Sequence, residues 1–341
     1  MTAHSPGADL STQPLPSTMR AATRSDYGST ERVVVDRVDR PEPGATEVLI
    51  HVAAAGLDRA TVHLLEGKPY LARLAFGVRR PRQAVLGQQV AGRIVAVGSA
   101  VTGRAVGERV FGTASGAFAE YAVAKEATIA PTPVQLSDDI AATLGVSGVT
   151  AYAAVVGRAR VQAGQRVLIL GASGAVGTYA VQLASQLGAD VTGVCSASKR
   201  DLVRSFGAKL AVDYAGLSLA DLPDTYDAII DIAGNRPLRK LRSALAADGI
   251  LVIVGGEAGG SLLGGIERNL FASLVNRFTT QRLGWLFASP TTENLALLAD
   301  ALVSGNLQPP LDRCVDLAGL GPGIEDMQQG RLRGHVIVHP G

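Results

Sequence analysis

Three glycines at i, i+3 and i+6, in Gly171-Ala172-Ser173-Gly174-Ala175-Val176-Gly177, constrain this chain more than any other feature. They follow the apolar run Gln165 to Leu170, which reads as a buried strand, and precede Val176 to Leu187, which reads as a helix closed by Gly188. Glycine at such a junction permits a tight turn and lets backbone N–H groups approach a pyrophosphate. It also lets the helix pack close to the sheet, with the partial positive charge of its N-terminus facing the anion. A Gly-rich turn is weak evidence in a chain with 40 glycines, and a purely structural turn is the alternative. The context favours a dinucleotide, because a second strand, Ala189 to Cys195, follows at the expected spacing.

Strand and helix alternate from there. Lys199 to Phe206 reads as a helix capped by Gly207, Ala208 to Tyr214 and Tyr226 to Ile232 as strands, Leu238 to Ala247 as a helix and Gly249 to Val254 as a strand. This alternation predicts a doubly wound parallel sheet, class α/β. The chain before it is of β texture: Glu47 to Val52, Val90 to Val97, Arg109 to Phe111 and Phe118 to Val123, separated by Gly and Pro. Ser137 then caps an Ala-rich helical segment. Leu311 to Leu317 and His335 to His339 return to β texture. The expected organisation is a disordered, Pro-rich tail over 1–18, a β-rich domain from 19–139 and 305–341, and a Rossmann-type dinucleotide-binding domain over 140–304.

A net charge of +2 gives no electrostatic footprint for nucleic acid or an anionic membrane, so neither is an expected partner. The uncharged stretches Ile140 to Gly157 and Val167 to Ala189 are interrupted by Gly, Ser, Thr and Gln, unlike a membrane span. Cys195 and Cys314 are the only cysteines, too few for a disulfide framework or a Cys-rich zinc cluster. That scarcity of cysteine fits a reducing cytoplasm, the expected location, and residues 1–18, with no basic and no apolar region, do not read as a signal peptide.

The choice of dinucleotide is read at the end of the second strand, where an acidic residue would accept from a ribose 2′-OH and select NAD. Here Cys195 is followed by Ser196-Ala197-Ser198-Lys199-Arg200, with no carboxylate before Asp201. Hydroxyls and cations suit a 2′-phosphate, so NADP(H) is expected. The alternative is that Lys199 and Arg200 are solvated residues of a first helical turn.

Several segments in order carry a family resemblance: Val52 to Gly56, Leu86 to Gly92, Val106 to Gly112, Gly116 to Tyr121, the glycine loop, Ser205 to Ala208, Asp231 to Asn235 and Gly249 to Gly256. On these the chain resembles the medium-chain dehydrogenase/reductase superfamily, in its zinc-independent quinone oxidoreductase (zeta-crystallin-like) branch. The resemblance implies a GroES-like catalytic domain, a Rossmann domain and a homodimer. It places Ser173, Gly174, Ala175 and Val176 under the pyrophosphate, Lys199 at the 2′-phosphate and Tyr214 beside the adenosine ribose. It also places Asn235, Val254, Gly255, Gly256 and Thr150 around the nicotinamide half. The zinc-dependent branch has a Cys, a His-Glu pair and a second Cys where this chain has Leu57-Asp58, Gln88-Gln89 and Ser147, so no metal is expected. The chain departs from its own branch at Asp58 and Arg59, where Asn and Pro are usual, at Gln88-Gln89, and at Gly334-His335.

Without a Lewis acid, simple alcohol oxidation is disfavoured. Hydride transfer from NADPH to a small-molecule acceptor, a quinone or another conjugated carbonyl, is the expected reaction. A non-zinc alcohol dehydrogenase or an enoyl reductase is the alternative within enzymes, and a non-catalytic NADPH-binding redox sensor the alternative outside them. Asp58 and Tyr70 are the candidate catalytic residues. Asp58 reads equally as the N-cap of a following helix, and Tyr70 as a loop aromatic. The basic segment Lys68 to Arg82 reads either as a lid attracting acidic substrates or cofactor phosphates, or as a solvated amphipathic loop. Arg282 to Phe287, with the only tryptophan, is a candidate edge strand for a twofold interface.

Overall fold

The computed structural model describes residues 14–219, 222, 225–256, 264 and 266–341. The expected tail lies outside the described residues over 1–13, and by Thr18 the chain is already in a strand. That strand, β1 (Thr18–Thr23), pairs antiparallel with β2 (Val34–Asp39). The next five strands are β3 (Glu47–Gly56), β4 (Gln89–Val97), β5 (Arg109–Thr113), β6 (Tyr121–Lys125) and β7 (Ile129–Pro131). The parallel-sheet strands are β8 (Arg166–Leu170), β9 (Asp190–Cys195), β10 (Leu210–Asp213), β11 (Tyr226–Asp231), β12 (Leu245–Ile253) and β13 (Arg282–Trp285). The chain then returns through β14 (Leu311–Asp316) and β15 (His335–His339) to the first sheet.

Two sheets organise the molecule, as expected for a GroES-like domain joined to a doubly wound one. The first runs β14-β15-β3-β4-β5-β7, with β6 also on β3. The second is wholly parallel among its six strands, in the order β10-β9-β8-β11-β12-β13. Its strands are buried on both faces, which is why they read as continuous apolar runs. Val167 and Ile169 of β8 join a core with Tyr179 and Ala180 of the helix Ala175–Gln186. Leu168 and Leu170 face the opposite way, toward Leu238 and Leu241. The first sheet has a separate core built on Ile50, Val90, Ile94 and Phe118.

The helix Asp138–Ala159 carries the chain between the sheets; its 22 residues are long and apolar enough to cross a membrane, yet most of that length is buried inside the fold. Residues Leu144–Gly148 and Ala153–Ala159 within it are wound as π-helix. The helix expected over Leu238 to Ala247 stops at Ser243, and β12 begins at Leu245, four residues earlier than its expected start. Leu245 is buried opposite Tyr226, and the Tyr226 N–H donates to the Ala244 carbonyl, so tertiary pairing overrides the helical pattern there.

Candidate functional site

The glycine loop leaves β8 with Gly171 in the left-handed region, φ +85°. The Gly171 and Ala172 N–H groups both donate to the Val194 carbonyl, fastening the loop to β9. Gly174 is the N-cap of the helix Ala175–Gln186, and no side chain caps it. The Thr178 N–H is the first to turn back to the Gly174 carbonyl. The N–H groups of Ala175, Val176 and Gly177 are therefore the first-turn donors at this helix N-terminus, the arrangement that binds an anion. A Cβ on Gly177 would stand 2.1 Å from the Gly171 oxygen, so only glycine allows this approach. Ser173 lies in the same turn.

Beyond β9, Ser196 precedes the short turn Ala197–Lys199, and Tyr214 stands exposed just past β10, its N–H bonded to the Cys195 carbonyl. Arg200 is exposed, whereas Lys199 is buried and its Nζ donates to the Gly330 carbonyl at 2.7 Å. Burial and the nearby Arg333 lower the Lys199 pKa from its ordinary value. Arg333, from the segment before β15, donates from Nη1 to the Ser198 carbonyl at 3.1 Å. A second cation, missed from the sequence because it lies more than 130 residues away, thus flanks the same turn.

Asp231, at the end of β11, is fully buried; its Oδ1 accepts from the Gly234 N–H at 3.0 Å and its Oδ2 is paired with Arg268. Burial raises its pKa, opposed by Arg268. This carboxylate ties down the turn that presents Asn235. Gly234 and Gly255 pack so closely that a Cβ on Gly234 would meet Gly255 at 2.3 Å, which brings the Asn235 turn against Val254, Gly255 and Gly256.

Val254 and Thr150 also line the large cleft beside the first sheet, about 920 Å³ in volume. Val146, Gln88, Leu286 and Phe287 line it as well, and Arg24, Tyr27 and Arg73 lie along the same wall system. The basic segment after Lys68 forms part of this lining through Lys68, Arg73 and Arg82. Arg24 had no distinguishing signal in the sequence. It is 5% exposed, its Nε and Nη1 have no hydrogen-bond partner among the described residues, and burial lowers its pKa.

Neither candidate catalytic residue lines that cleft. Asp58 is buried and caps the helix Arg59–Glu66, its Oδ1 accepting from the Thr61 N–H at 2.9 Å and from the Thr61 hydroxyl. Burial pushes its carboxyl up to about 6, against those bonds, and its Oδ2 has no partner. Tyr70 is 43% exposed with the Arg73 guanidinium 4.6 Å from its ring centre, a surface stack. Asp58 thus holds a helix-cap position, and Tyr70 opens the short 3-10 turn Tyr70–Ala72.

The superfamily's metal-ligand positions hold no thiolate or imidazole. Gln89 is fully buried, and its Oε1 accepts from the Val146 and Ser147 N–H groups, within the π-helical stretch, at 3.0 and 3.1 Å. That oxygen is committed to the backbone, and Ser147 offers a neutral hydroxyl, so this donor set does not fit zinc. Among the described residues, one group of three suitable side chains lies close together, Asp139, Cys314 and His339. It sits where β14 and β15 meet the start of the helix Asp138–Ala159, apart from the cleft.

Comparison with known proteins adds three kinds of finding. Residues 44–134 match the family model for the alcohol dehydrogenase GroES-like domain, and 175–292 that for zinc-binding dehydrogenase. The quinone oxidoreductase of Mus musculus is 31% identical over 84% of this chain and 86% of its own length. The 2-methylene-furan-3-one reductase of Solanum lycopersicum is 29% identical over 96% of this chain and 80% of its own. In structure, the quinone oxidoreductase from Coxiella burnetii superposes with a TM-score of 0.84 at 24% identity, covering 95% of this chain and all of that one.

Proposed function

The chain belongs to the medium-chain dehydrogenase/reductase superfamily, near its quinone oxidoreductase members, and is an oxidoreductase using NAD(P)H; from that premise we propose that it is an NADPH-dependent, zinc-independent reductase of conjugated carbonyl acceptors. The observation that carries the reading is a glycine-loop helix terminus left without a side-chain cap, in a chain whose metal-ligand positions hold Gln89 and Ser147, with the Gln89 oxygen already bonded to backbone N–H groups. Relatives named for reducing quinones and a 2-methylene-furan-3-one support that acceptor class.

The bound dinucleotide supplies a hydride. The residues of this chain hold and orient. The first-turn N–H groups of Ala175 to Gly177 and the hydroxyl of Ser173 would take the pyrophosphate. Lys199 and Arg333, one from each sheet's share of the chain, would neutralise a 2′-phosphate beside Ser196, with Arg200 and Tyr214 at the rim. Thr150, Asn235, Val254, Gly255 and Gly256 would border the nicotinamide. A conjugated acceptor takes the hydride at carbon and a proton from solvent, so orientation rather than a metal is the main requirement.

Steady-state assays with NADPH and NADH over a panel of quinones, enones and enals test this directly. Turnover with NADPH is expected, with Lys199→Met and Arg333→Met each narrowing the preference for NADPH over NADH by about tenfold, the scale of a charge-assisted phosphate contact. NADPH binding without oxidation by any acceptor would instead favour a redox-sensing binder. A homodimer is part of the same proposal. β13 ends the parallel sheet, with Trp285 half exposed on it, and would pair with its copy across a twofold axis. Sedimentation velocity at micromolar concentration should show the dimer, and a monomer there would refute it.

A further inference from the structure

We infer that the acceptor of this cleft carries an anionic group, a carboxylate or a phosphate ester, that is held by Arg24 at the end remote from the cofactor loop. The inference rests on the reading of the cleft as the acceptor site and adds the chemical class of the acceptor. Burying an unpaired charge is costly, and a guanidinium buried among other groups normally finds a carboxylate or carbonyl partner. Arg24 is 5% exposed, and among the described residues neither its Nε nor its Nη1 has a hydrogen-bond partner. It lies on the cleft lining, against the Tyr27 ring, which its guanidinium carbon approaches to 5.5 Å.

Its surroundings fix it there. Arg73 stacks on the same Tyr27 ring at 4.3 Å and donates to the Gly67 and Glu66 carbonyls at the end of the helix Arg59–Glu66. Tyr27 in turn donates from its hydroxyl to the Gly77 carbonyl. Arg73 thus has its Nε and Nη2 engaged by backbone carbonyls, whereas the buried Nε and Nη1 of Arg24, a residue of the cleft lining, have no partner among the described residues. The described lining includes the basic side chains Arg24, Lys68, Arg73, Arg82 and Lys125, and Glu47 is its one carboxylate.

The cofactor phosphates do not account for this charge. The glycine loop, Ser196 and Lys199 are absent from the cleft's described lining, and the residues that do border it are those around the nicotinamide, Thr150 and Val254. The end of a dinucleotide lying there carries no phosphate. The anion that Arg24 awaits therefore belongs to the second substrate. The cavity's mostly apolar wall, with Leu86, Val85 and Phe76, suits a hydrocarbon chain between the conjugated carbonyl and the anionic group.

The test uses the intact protein with NADPH and linear alkenones of graded chain length, each ending in a carboxylate, its methyl ester or a phosphate monoester. The expected result is a kcat/KM for one anionic series at least about tenfold above the ester of the same length, a ratio that shrinks as salt is added. The better of the carboxylate and phosphate series identifies the group. Arg24→Met should remove the preference by raising KM for the anionic substrate far more than for the ester, and Arg24→Lys should restore part of it. Wild-type protein showing no anion preference at any length, or Arg24→Met depressing both series equally, overturns the inference. If no alkenone is reduced, the hydride-transfer reading fails on its own. Titration of the NADPH-loaded protein with the saturated keto acid and its methyl ester then still decides the anion site, since only the acid should bind more tightly to wild-type protein than to Arg24→Met.

Discussion

Gly177→Ala is expected to weaken NADPH binding by about a hundredfold, measured by fluorescence titration, while Gly174→Ala, the same chemical change three residues earlier, leaves the fold intact. The difference is steric. A Cβ at position 177 would lie 2.1 Å from the Gly171 oxygen and 2.8 Å from the Ala172 backbone, neither of which can rotate away. At position 174 the nearest atom is 3.5 Å distant, an ordinary contact, and the backbone φ of −80° suits any residue. The Gly177 variant has to relieve its clash by shifting the loop off the helix, which turns the first-turn donors away from the pyrophosphate. A hundredfold change corresponds to about 2.7 kcal/mol, the worth of one or two charge-assisted hydrogen bonds. Unchanged affinity in Gly177→Ala would mean that this loop does not hold the dinucleotide.

Asp58→Asn is expected to gain stability over the wild type by about 3 kcal/mol between pH 4 and pH 7, read from urea midpoints across that range. Asn serves as an N-cap nearly as well as Asp, so the Thr61 bonds survive the change. The sign follows from the pKa. An unfolded Asp58 ionises near 3.8, but burial holds the folded carboxyl protonated up to about 6. The unfolded state therefore loses its proton first, and the wild type becomes less stable as pH rises through that interval, then levels off. His335 works in the opposite sense. It is fully buried, burial lowers its pKa to about 4, and it costs stability as pH falls from 6.5 toward that value. Because His335 is common to both proteins, it cancels in the difference. Parallel pH profiles for the two would show that Asp58 is ionised when folded.

The parts of this molecule that were legible in the sequence are those encoded locally. Three glycines between a strand and a helix specify the loop, because turn geometry and close approach depend on residues within a few positions. The strand runs of the parallel sheet were legible for the same reason, being buried on both faces and bounded by glycine. The start of β12 was not, since Leu245 joins the sheet through Tyr226, and only tertiary pairing selects strand over helix there. Arg24 and Arg333 were illegible for a related reason. An arginine's meaning lies in whether it finds a partner, and theirs are set by segments distant in the chain. Asp58 could be read both ways from local sequence, and the cap to Thr61 is the part of that reading that local spacing encodes.

The placement of β15 has a consequence for the order in which the protein can be made. β15 is an interior strand, between β14 and β3, yet it follows all six strands of the parallel sheet in the chain. As the polypeptide emerges from the ribosome, β6 covers the Glu47–His51 part of β3, and the Ala55–Gly56 end of β3, which β15 pairs, stays open while β8 to β13 are synthesised. The nucleotide-binding sheet draws on one uninterrupted stretch and can close during that interval. A dinucleotide bound at that stage would stabilise the parallel sheet while the first sheet still lacks β15.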